Sequence, residues 1–265
     1  MVSLEDYKIA IFTRSANYKL YKMSDSTIEL PFKHYRFTFT TAHGYLYKIL
    51  KYNIDYAINI DEDAFVVDNN ALLELLKYCI EEKIVNCGMR DGGVSPVRYG
   101  NPIVTNPFFN ILDVRQIRKK FSKREVGEYR YKIIDYDKLL KNVTLPFKYE
   151  NTPYYESFYP FFLWLNVNSK VYYLNATEHD DKFSTILYNQ LGEKMLYHSW
   201  YSREFEKNEF HTQRIMDLYC LCEGKDIRLS FSEKIRVWLE LRINQNVIPW
   251  ILPIRRKLIK LMSSK

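Results

Sequence analysis

The pattern that most constrains this chain is the alternation of short apolar runs with segments of helical periodicity. The runs Lys8–Thr13, Tyr56–Ile60 and Ile84–Met89 are rich in β-branched and aromatic residues, which favours buried strands. Between the last two runs, Ala71–Glu82 carries leucines at helical spacing, and Asn69-Asn70 before it offers an N-cap. Strands that alternate with helices predict an α/β fold with a mostly parallel sheet.

The rest of the first 224 residues continues this alternation. Further helices are predicted at Tyr45–Tyr52 and Tyr155–Leu165, and further strands at Phe108–Leu112 and Lys170–Leu174. Residues 91–107 contain several glycines and prolines and predict one long loop. Loops longer than about 12–15 residues in compact domains are often functional.

The net charge of +7 is confined to the C-terminal part of the chain. Residues 225–265 hold ten of the 39 Lys and Arg and three of the 32 Asp and Glu, which leaves 29 of each sign in residues 1–224. A nucleic-acid-binding protein would carry basic charge across its main domain, so nucleic acid is not an expected partner. We therefore divide the chain into a neutral catalytic domain, 1–224, and a basic amphipathic helical tail, 225–265.

The tail has the pattern of a helix that lies on a membrane surface. Its first stripe consists of Phe231, Ile235, Trp238, Leu239 and Arg242. Its second stripe, beyond Pro249 and Pro253, consists of Ile254, Leu258, Leu261 and Met262, opposite Arg255, Arg256 and Lys260, with Trp250 between the two stripes. Such a pattern predicts peripheral membrane contact through residues 231–265. The alternative is an amphipathic helix packed on the catalytic domain.

The sequence predicts a cytoplasmic protein. No basic segment followed by an apolar run opens the chain, and no stretch has the roughly 18 apolar residues that span a bilayer. The four cysteines form no C-x-x-C pair, which favours reduced, buried thiols. With the basic tail, this places the protein at the inner face of the plasma membrane.

Two carboxylates mark the end of the second predicted strand. Asp61 and Asp63 follow Tyr56–Ile60 directly and precede the apolar segment Ala64–Val67. Ligands of open α/β sheets bind beyond the carboxyl ends of the strands, and two nearby carboxylates suit a hard divalent cation. A solvated acidic turn before the next helix is the alternative interpretation.

The segment Tyr56–Val66 resembles the D-x-D segment of the GT-A glycosyltransferases. The resemblance spans residues 6–205 through short, spaced motifs, and it implies a GT-A (Rossmann-like) fold and a bound Mn²⁺ or Mg²⁺. Asp61 and Asp63 would be metal ligands, and Asp61 and Glu62 would also contact the nucleotide. The donor would be a nucleotide-diphosphate sugar, most simply a UDP-sugar.

The resemblance also implies roles for residues elsewhere in the chain. Glu156, at the start of a helix followed by a strand, matches the acidic pair of inverting members and becomes the candidate base. Asp91, after the third strand, competes for that role, and so do Glu178, Asp180 and Asp181, which follow the strand that ends at Leu174. His198, in Leu196–Trp200, would be a third metal ligand, and a core histidine is the alternative.

Four further residues are expected at the nucleotide. Thr13, Arg14 and Ser15 end the first strand, where GT-A enzymes receive the base and ribose, and His43 opens the helix before the D-x-D strand. The alternative for Arg14 is a surface arginine.

The expected activity is transfer of a sugar, in the hexosyltransferase class, to a glycan or lipid-linked glycan in bacterial capsule or lipopolysaccharide biosynthesis. A sugar nucleotidyltransferase is the nearest alternative, but it would need a glycine-rich loop, and Thr13–Leu30 contains no glycine. A non-catalytic glycan-binding relative is a further alternative.

Overall fold

The three apolar runs identified in the sequence form strands of one central sheet. The structure is a computed structural model that describes residues 2–92, 94, 100–145, 149, 156–224, 226–243 and 251. The strands within these residues are β1 Ile9–Arg14, β2 Lys33–Phe37, β3 Tyr56–Ile60, β4 Ala64–Val66, β5 Asn86–Gly88, β6 Phe109–Asp113, β7 Val171–Tyr173, β8 Ala176–Glu178, β9 Thr185–Tyr188 and β10 Lys194–His198.

Helices flank this sheet and follow its strands along the chain. Those within the described residues are α1 Tyr18–Ser26, α2 Gly44–Ile49, α3 Asn69–Glu81, α4 Val114–Lys120, α5 Lys123–Glu128, α6 Tyr136–Leu140, α7 Tyr159–Val167, α8 Glu209–Leu221 and α9 Phe231–Arg242. Short 3₁₀ turns lie at Leu4–Asp6 and Ser202–Glu204.

The central sheet has the strand order β2-β1-β3-β6-β5-β7. Strand β1 is parallel to β2 and β3, and β5 is parallel to β7, whereas β6 is antiparallel to both of its neighbours. Five of these six strands therefore run in one direction, which confirms the predicted α/β fold with a mostly parallel sheet flanked by helices.

Apolar side chains cover both faces of the sheet. Alternate residues of β3 belong to different core clusters: Ile58 lies in the cluster that includes Leu75 of α3, and Ala57 lies in the one that includes Leu46 of α2 and Phe161 of α7. This alternation follows from the two-residue period of a strand. It explains why β3 is apolar except at the buried Asn59, since neither face of the strand meets water.

A second, antiparallel sheet of order β4-β10-β9-β8 lies beside the first and was not predicted. Residues Ala64, Phe65 and Val66 of β4 pair with His198, Tyr197 and Leu196 of β10. This register places the segment after Asp63 beside the end of β10.

Two predicted boundaries were wrong. Helix α3 is capped by Asp68 rather than by Asn69-Asn70, because the Asp68 carboxylate accepts hydrogen bonds from the backbone N–H groups of Asn70 and Ala71. Helix α7 begins at Tyr159, later than predicted, with Pro160 in its first turn, where a missing N–H costs no hydrogen bond. The predicted start of that helix, Tyr155, lies outside the described residues.

Helix α9 packs against the main domain through its polar face. Glu240 binds Arg36 of β2, and Glu233 accepts a hydrogen bond from the Tyr18 hydroxyl of α1. The second predicted stripe, beyond Pro249, lies outside the described residues. Among the residues that the structure describes, no helix is long and apolar enough to cross a membrane.

Candidate active site

The ends of two neighbouring strands bring together a cation and three acidic residues. Arg14 is the last residue of β1, and Asp61, Glu62 and Asp63 connect β3 to β4. Because β1 and β3 are parallel and adjacent, their carboxyl ends lie at the same edge of the sheet. Asp61 Oδ2 lies 3.8 Å from Arg14 Nη2.

Asp61 lies in an environment that disfavours its charge. Burial raises the pKa of Asp61 to about 8, although the guanidinium of Arg14 acts in the opposite direction, and the neighbouring carboxylates of Asp63 and Glu62 raise it further. The guanidinium of Arg14 also lies 5.8 Å from the ring centroid of Tyr45 in α2. A bound cation at this edge would relieve the repulsion among the carboxylates.

Asp63 faces His198 from the second sheet. The distance from Asp63 Oδ1 to His198 Nε2 is 3.4 Å, and both side chains are buried. Burial raises the pKa of Asp63, but the proximity of His198 outweighs it and lowers the pKa overall. His198 Nδ1 is buried and has no hydrogen-bond partner among the described residues, so the imidazole has capacity left for a ligand.

Aromatic rings and strand pairing fix the position of His198. Its ring stacks on Phe108 with centroids 4.1 Å apart, and the Trp200 ring lies 4.3 Å away on a tilted plane. The backbone carbonyl of Asp63 accepts hydrogen bonds from the N–H and the hydroxyl of Ser199. His198 is therefore held against Asp63 by contacts on several sides.

Glu62 connects the acidic segment to the loop that follows β1. Its Oε2 accepts hydrogen bonds from the backbone N–H groups of Ala16 and Asn17, at 2.9 and 2.8 Å. Burial raises the pKa of Glu62 to about 7 against the lowering effect of these bonds. Glu62 thus holds the β1–α1 loop against the D-x-D segment, and its predicted contact with the nucleotide stays a prediction.

The hydroxyls of Thr13 and Ser15 are directed to strand β2. Thr13 Oγ1 lies 2.8 Å from His34 Nε2, and Ser15 Oγ accepts hydrogen bonds from Nε and Nη2 of Arg36. Both residues lie in the β1–α1 segment beside Arg14, where the nucleotide was predicted.

His43 occupies the N-cap position of α2, the helix that carries Tyr45, and it makes no side-chain cap bond there. His43 is half-buried and lies two residues before Tyr45, whose ring faces Arg14. His43 thus opens α2, as the sequence predicted, and its contact with the nucleotide stays a prediction.

The two candidate bases differ in accessibility. Asp91 is fully buried, and its carboxylate accepts hydrogen bonds from the Asn106 amide and the Tyr159 hydroxyl. Glu156 is partly exposed and precedes α7, where its backbone carbonyl accepts the N–H of Tyr159. Glu156 can therefore meet a solvent-borne hydroxyl, whereas Asp91 organises the loop around it in this conformation.

Sequence reasoning did not single out Arg214 of α8. Its guanidinium is buried, donates to the Ser184 hydroxyl and the Trp200 carbonyl, and lies 3.4 Å from Asp181 Oδ2. Burial lowers the pKa of Arg214, and the carboxylates of Asp181 and Asp63 act in the opposite direction. A single arginine in a helix gives no sequence signal for this position.

The donor set fits a divalent cation held by few protein ligands. Within the described residues, no group of three or more His, Cys, Asp or Glu side chains is placed to hold a metal ion. Asp63 and His198 nevertheless form a two-residue donor pair, and Asp61, two positions before Asp63 in the chain, faces Arg14. Mg²⁺ is commonly bound by one or two carboxylates, with phosphates and waters completing the shell, so two or three protein ligands suffice.

Comparisons with known proteins give distant structural similarities. No family model and no curated protein sequence matches the chain. The structure of S. aureus TarS, residues 1–349, matches 90% of this chain and 72% of the TarS chain, at 9% identity and a TM-score of 0.38. The structure of the same protein in complex with UDP-GlcNAc matches 90% of this chain and 73% of the TarS chain, at 10% identity and a TM-score of 0.34.

A197 from STIV is also similar. The match covers 44% of this chain and 70% of the A197 chain, at 10% identity and a TM-score of 0.33. These similarities are distant, and they assign the chain to no family.

Proposed function

We propose that this protein is a glycosyltransferase that uses a nucleotide-diphosphate sugar. The observation that carries the proposal is the meeting of Arg14, Asp61, Asp63 and His198 beyond the carboxyl ends of β1 and β3. A diphosphate needs positive charge, which Arg14 and a cation at the carboxylates would supply. The UDP-sugar in the similar TarS structure is consistent with such a donor.

Asp63 and His198 would hold Mn²⁺ or Mg²⁺, with Asp61 as an additional ligand or a contact to the ribose. The cation supplies charge neutralisation for the departing diphosphate. Arg14, which faces Asp61, would bind the same phosphates. Glu62 keeps the β1–α1 loop, with Thr13 and Ser15, against the nucleotide.

The reaction that we propose is an inverting displacement. The acceptor hydroxyl oxygen forms a bond to the anomeric carbon, and the bond from that carbon to the diphosphate oxygen breaks, so the nucleoside diphosphate leaves with the electron pair. Glu156 takes the proton from the acceptor hydroxyl as general base. Asp91 remains the second candidate, but it would first have to break its bonds to Asn106 and Tyr159.

Binding of nucleotide sugars tests the proposal. Thermal shift and slow hydrolysis are measured over a panel of UDP-, GDP- and dTDP-sugars with and without Mn²⁺. We expect one donor to stabilise the wild type only with the metal, and Asp63→Asn to lose that shift. Asp137→Asn, which removes an exposed carboxylate in α6, is the matched control and should keep it.

Three results would each contradict a part of the proposal. No metal-dependent shift with any donor would remove the enzyme interpretation. An equal shift in Asp63→Asn and wild type would remove the assigned site. Donor hydrolysis that survives Glu156→Gln unchanged would exclude Glu156 as the base and direct attention to Asp91.

We further propose that the protein acts at the cytoplasmic face of the plasma membrane through α9. In this helix Phe231, Ile235, Trp238 and Leu239 are 80, 43, 57 and 45% exposed. The acidic residues Glu233 and Glu240 face the domain, whereas Lys234 and Arg242 are exposed with the apolar side chains. An outward face that is apolar and basic suits an anionic lipid surface.

This attachment would bring the site to a lipid-linked glycan of capsule or lipopolysaccharide biosynthesis. Co-sedimentation with vesicles of phosphatidylcholine and phosphatidylglycerol tests it. We expect the double variant Phe231→Ser/Trp238→Ser to stay in the supernatant, whereas Leu191→Ser, which changes an exposed leucine in the β9–β10 turn, sediments like wild type. Equal sedimentation of both variants would refute membrane contact through α9.

A further inference from the structure

An exposed cluster of aromatic side chains lies beside the candidate active site. The cluster, called the aromatic patch below, consists of Phe183, Tyr201, Phe210 and His211. They come from three segments: the β8–β9 turn, the turn after β10, and the start of α8. Tyr201 and Phe210 are 41 and 56% exposed, which is unusual for large rings that pack on one another.

The rings form one continuous surface. Tyr201 and His211 stack with centroids 4.4 Å apart and planes at 16°. Phe183 contacts Tyr201, Phe210 and His211 edge-on, at 6.1, 5.4 and 5.8 Å. Each ring therefore supports another, and the surface is formed before any ligand arrives.

A buried polar network fixes the patch from below. The guanidinium of Arg214 lies 5.6 Å from the Phe183 ring and 6.0 Å from the Tyr201 ring. It also binds Ser184 and Asp181 of the β8–β9 turn. Because one buried cation joins all three segments, the relative positions of the rings are set by the fold.

The backbone after β10 is held in an unfavourable conformation that turns toward this patch. Trp200 and Tyr201 both have positive φ, 56° and 58°, in the left-handed region that large side chains avoid. The carbonyl of Trp200 accepts a hydrogen bond from Arg214, and its indole N–H donates to Thr185. Strained backbone retained by such contacts is a feature of functional sites.

The same turn connects the patch to the candidate active site. Trp200 contacts the ring of His198, and Tyr201 is the next residue. Ser199, on the other side of Trp200, is bonded to the Asp63 carbonyl. A molecule on the patch would therefore be within a short distance of a donor held at Asp63 and His198.

The chemistry of the patch favours a sugar ring over a protein partner. Two of the four rings, Tyr201 and Phe210, are about half exposed, and Phe183 and His211 are less exposed. At about 150–250 Å² per ring the patch therefore offers at most about 500 Å², below the ~800 Å² per partner of a stable protein interface. The exposed side chains at its rim are polar: Asp180, Lys182 and Glu209. Flat apolar faces with a polar rim match a pyranose, which has C–H groups on its faces and hydroxyls at its edge.

We infer that the aromatic patch binds a sugar residue of the acceptor glycan, by stacking on Tyr201 and Phe210. This inference rests on the proposed glycosyltransferase function and names the acceptor class: a neutral saccharide rather than a protein side chain or a bare lipid phosphate. The rim carboxylates of Asp180 and Glu209 accept hydrogen bonds from its hydroxyls.

Saturation-transfer NMR with methyl glycosides of glucose, galactose, mannose and N-acetylglucosamine, and their β-linked disaccharides, tests the inference. We expect at least one glycoside to bind the wild type, and Phe210→Leu and Tyr201→Leu each to weaken it about fivefold or more, since leucine keeps the apolar character but removes the ring face. Leu221→Ser, an exposed leucine at the far end of α8, is the control and should bind like wild type.

The outcomes separate this inference from the proposed function. The inference would be overturned if no glycoside bound the wild type. It would also be overturned if both leucine variants bound every glycoside as tightly as the wild type does. A wild-type mass that rises with concentration and falls in Phe210→Leu would also overturn it, because the patch would then bind a second copy. The nucleotide-sugar thermal shift, measured on the same variants, should persist; its absence in the wild type would instead refute the proposed function.

Discussion

Replacing Glu240 by alanine should release α9 from the domain. Glu240 accepts two hydrogen bonds from the Arg36 guanidinium, at 2.8 and 2.5 Å, and the two side chains are only 8 and 7% exposed. Burial raises the pKa of Glu240, but the two arginines that it contacts, Arg36 and Arg236, outweigh it and lower the pKa overall. The carboxylate is therefore ionised at neutral pH, and its loss leaves a buried cation.

The free-energy cost of removing Glu240 depends on the contacts that Arg36 retains. Removing one partner of a buried ion pair costs about 3–5 kcal/mol. Arg36 retains its bonds to Ser15 and its contacts with the Tyr18 and Tyr21 rings, so the lower end, about 3 kcal/mol, is expected. Because α9 has few other polar contacts with the domain, this energy should appear as local opening rather than global unfolding.

Hydrogen–deuterium exchange measures that opening. About 3 kcal/mol corresponds to about 100-fold faster exchange of the α9 amides, with β1 and β3 unchanged. Exchanging both partners for apolar residues, Arg36→Met with Glu240→Met, should restore much of the protection, since no buried charge is left unpaired. The reasoning would be refuted if the α9 amides of Glu240→Ala exchanged at rates within about threefold of the wild-type rates.

Three further results are expected. Leu75→Ala, in the α3 face that packs on the sheet, should lower the free energy of unfolding by about 2–5 kcal/mol in urea titrations, whereas exposed Leu221→Ala should change it by less than about 0.5 kcal/mol. Burial raises the pKa of Asp181, but hydrogen bonds from Ser184 and from backbone N–H groups lower it overall, so the stabilisation by Asp181 is complete above its unfolded pKa and is lost as the pH falls through its folded pKa. The difference in melting temperature between wild type and Asp181→Asn should therefore be constant from pH 8 to about 5 and become smaller below pH 5. A difference that grows on acidification would contradict this. His198→Gln should weaken Mn²⁺-dependent donor binding without loss of fold, judged by circular dichroism, and unchanged donor binding would remove His198 from the site.

The strands and the acidic segment could be predicted because their signals are local. Tyr56–Ile60 is apolar at every position except Asn59, and the abrupt change to Asp61 marks its end. The paired strands β8 and β9 gave no such signal, because neither strand is buried on both faces and their residues are mixed in character. The cap at Asp68 was missed because Asp and the following asparagines are all good N-cap residues, and only the backbone conformation selects one.

The candidate site divides in the same way. Arg14 and Asp61 were both expected at the nucleotide from the resemblance, and they lie at one edge of the sheet because β1 and β3 are adjacent and parallel. Arg214 and the aromatic patch could not be predicted, since their partners come from segments joined only by the turns after β8 and β10. A lone arginine and scattered aromatic residues have no spacing to reveal them.

The sequence by itself determined five of the six strands of the central sheet, the position of Asp61-x-Asp63 at a strand end, and the apolar stripe of α9, because each depends on neighbours within a few residues. Tertiary structure alone decided which distant groups meet them. His198 reaches Asp63 through the register between β4 and β10. The stripe of α9 faces outward because Glu240 finds a buried cation, Arg36, on β2. Both outcomes depend on pairings between distant segments, and a pattern along the chain does not encode which partner each surface will contact.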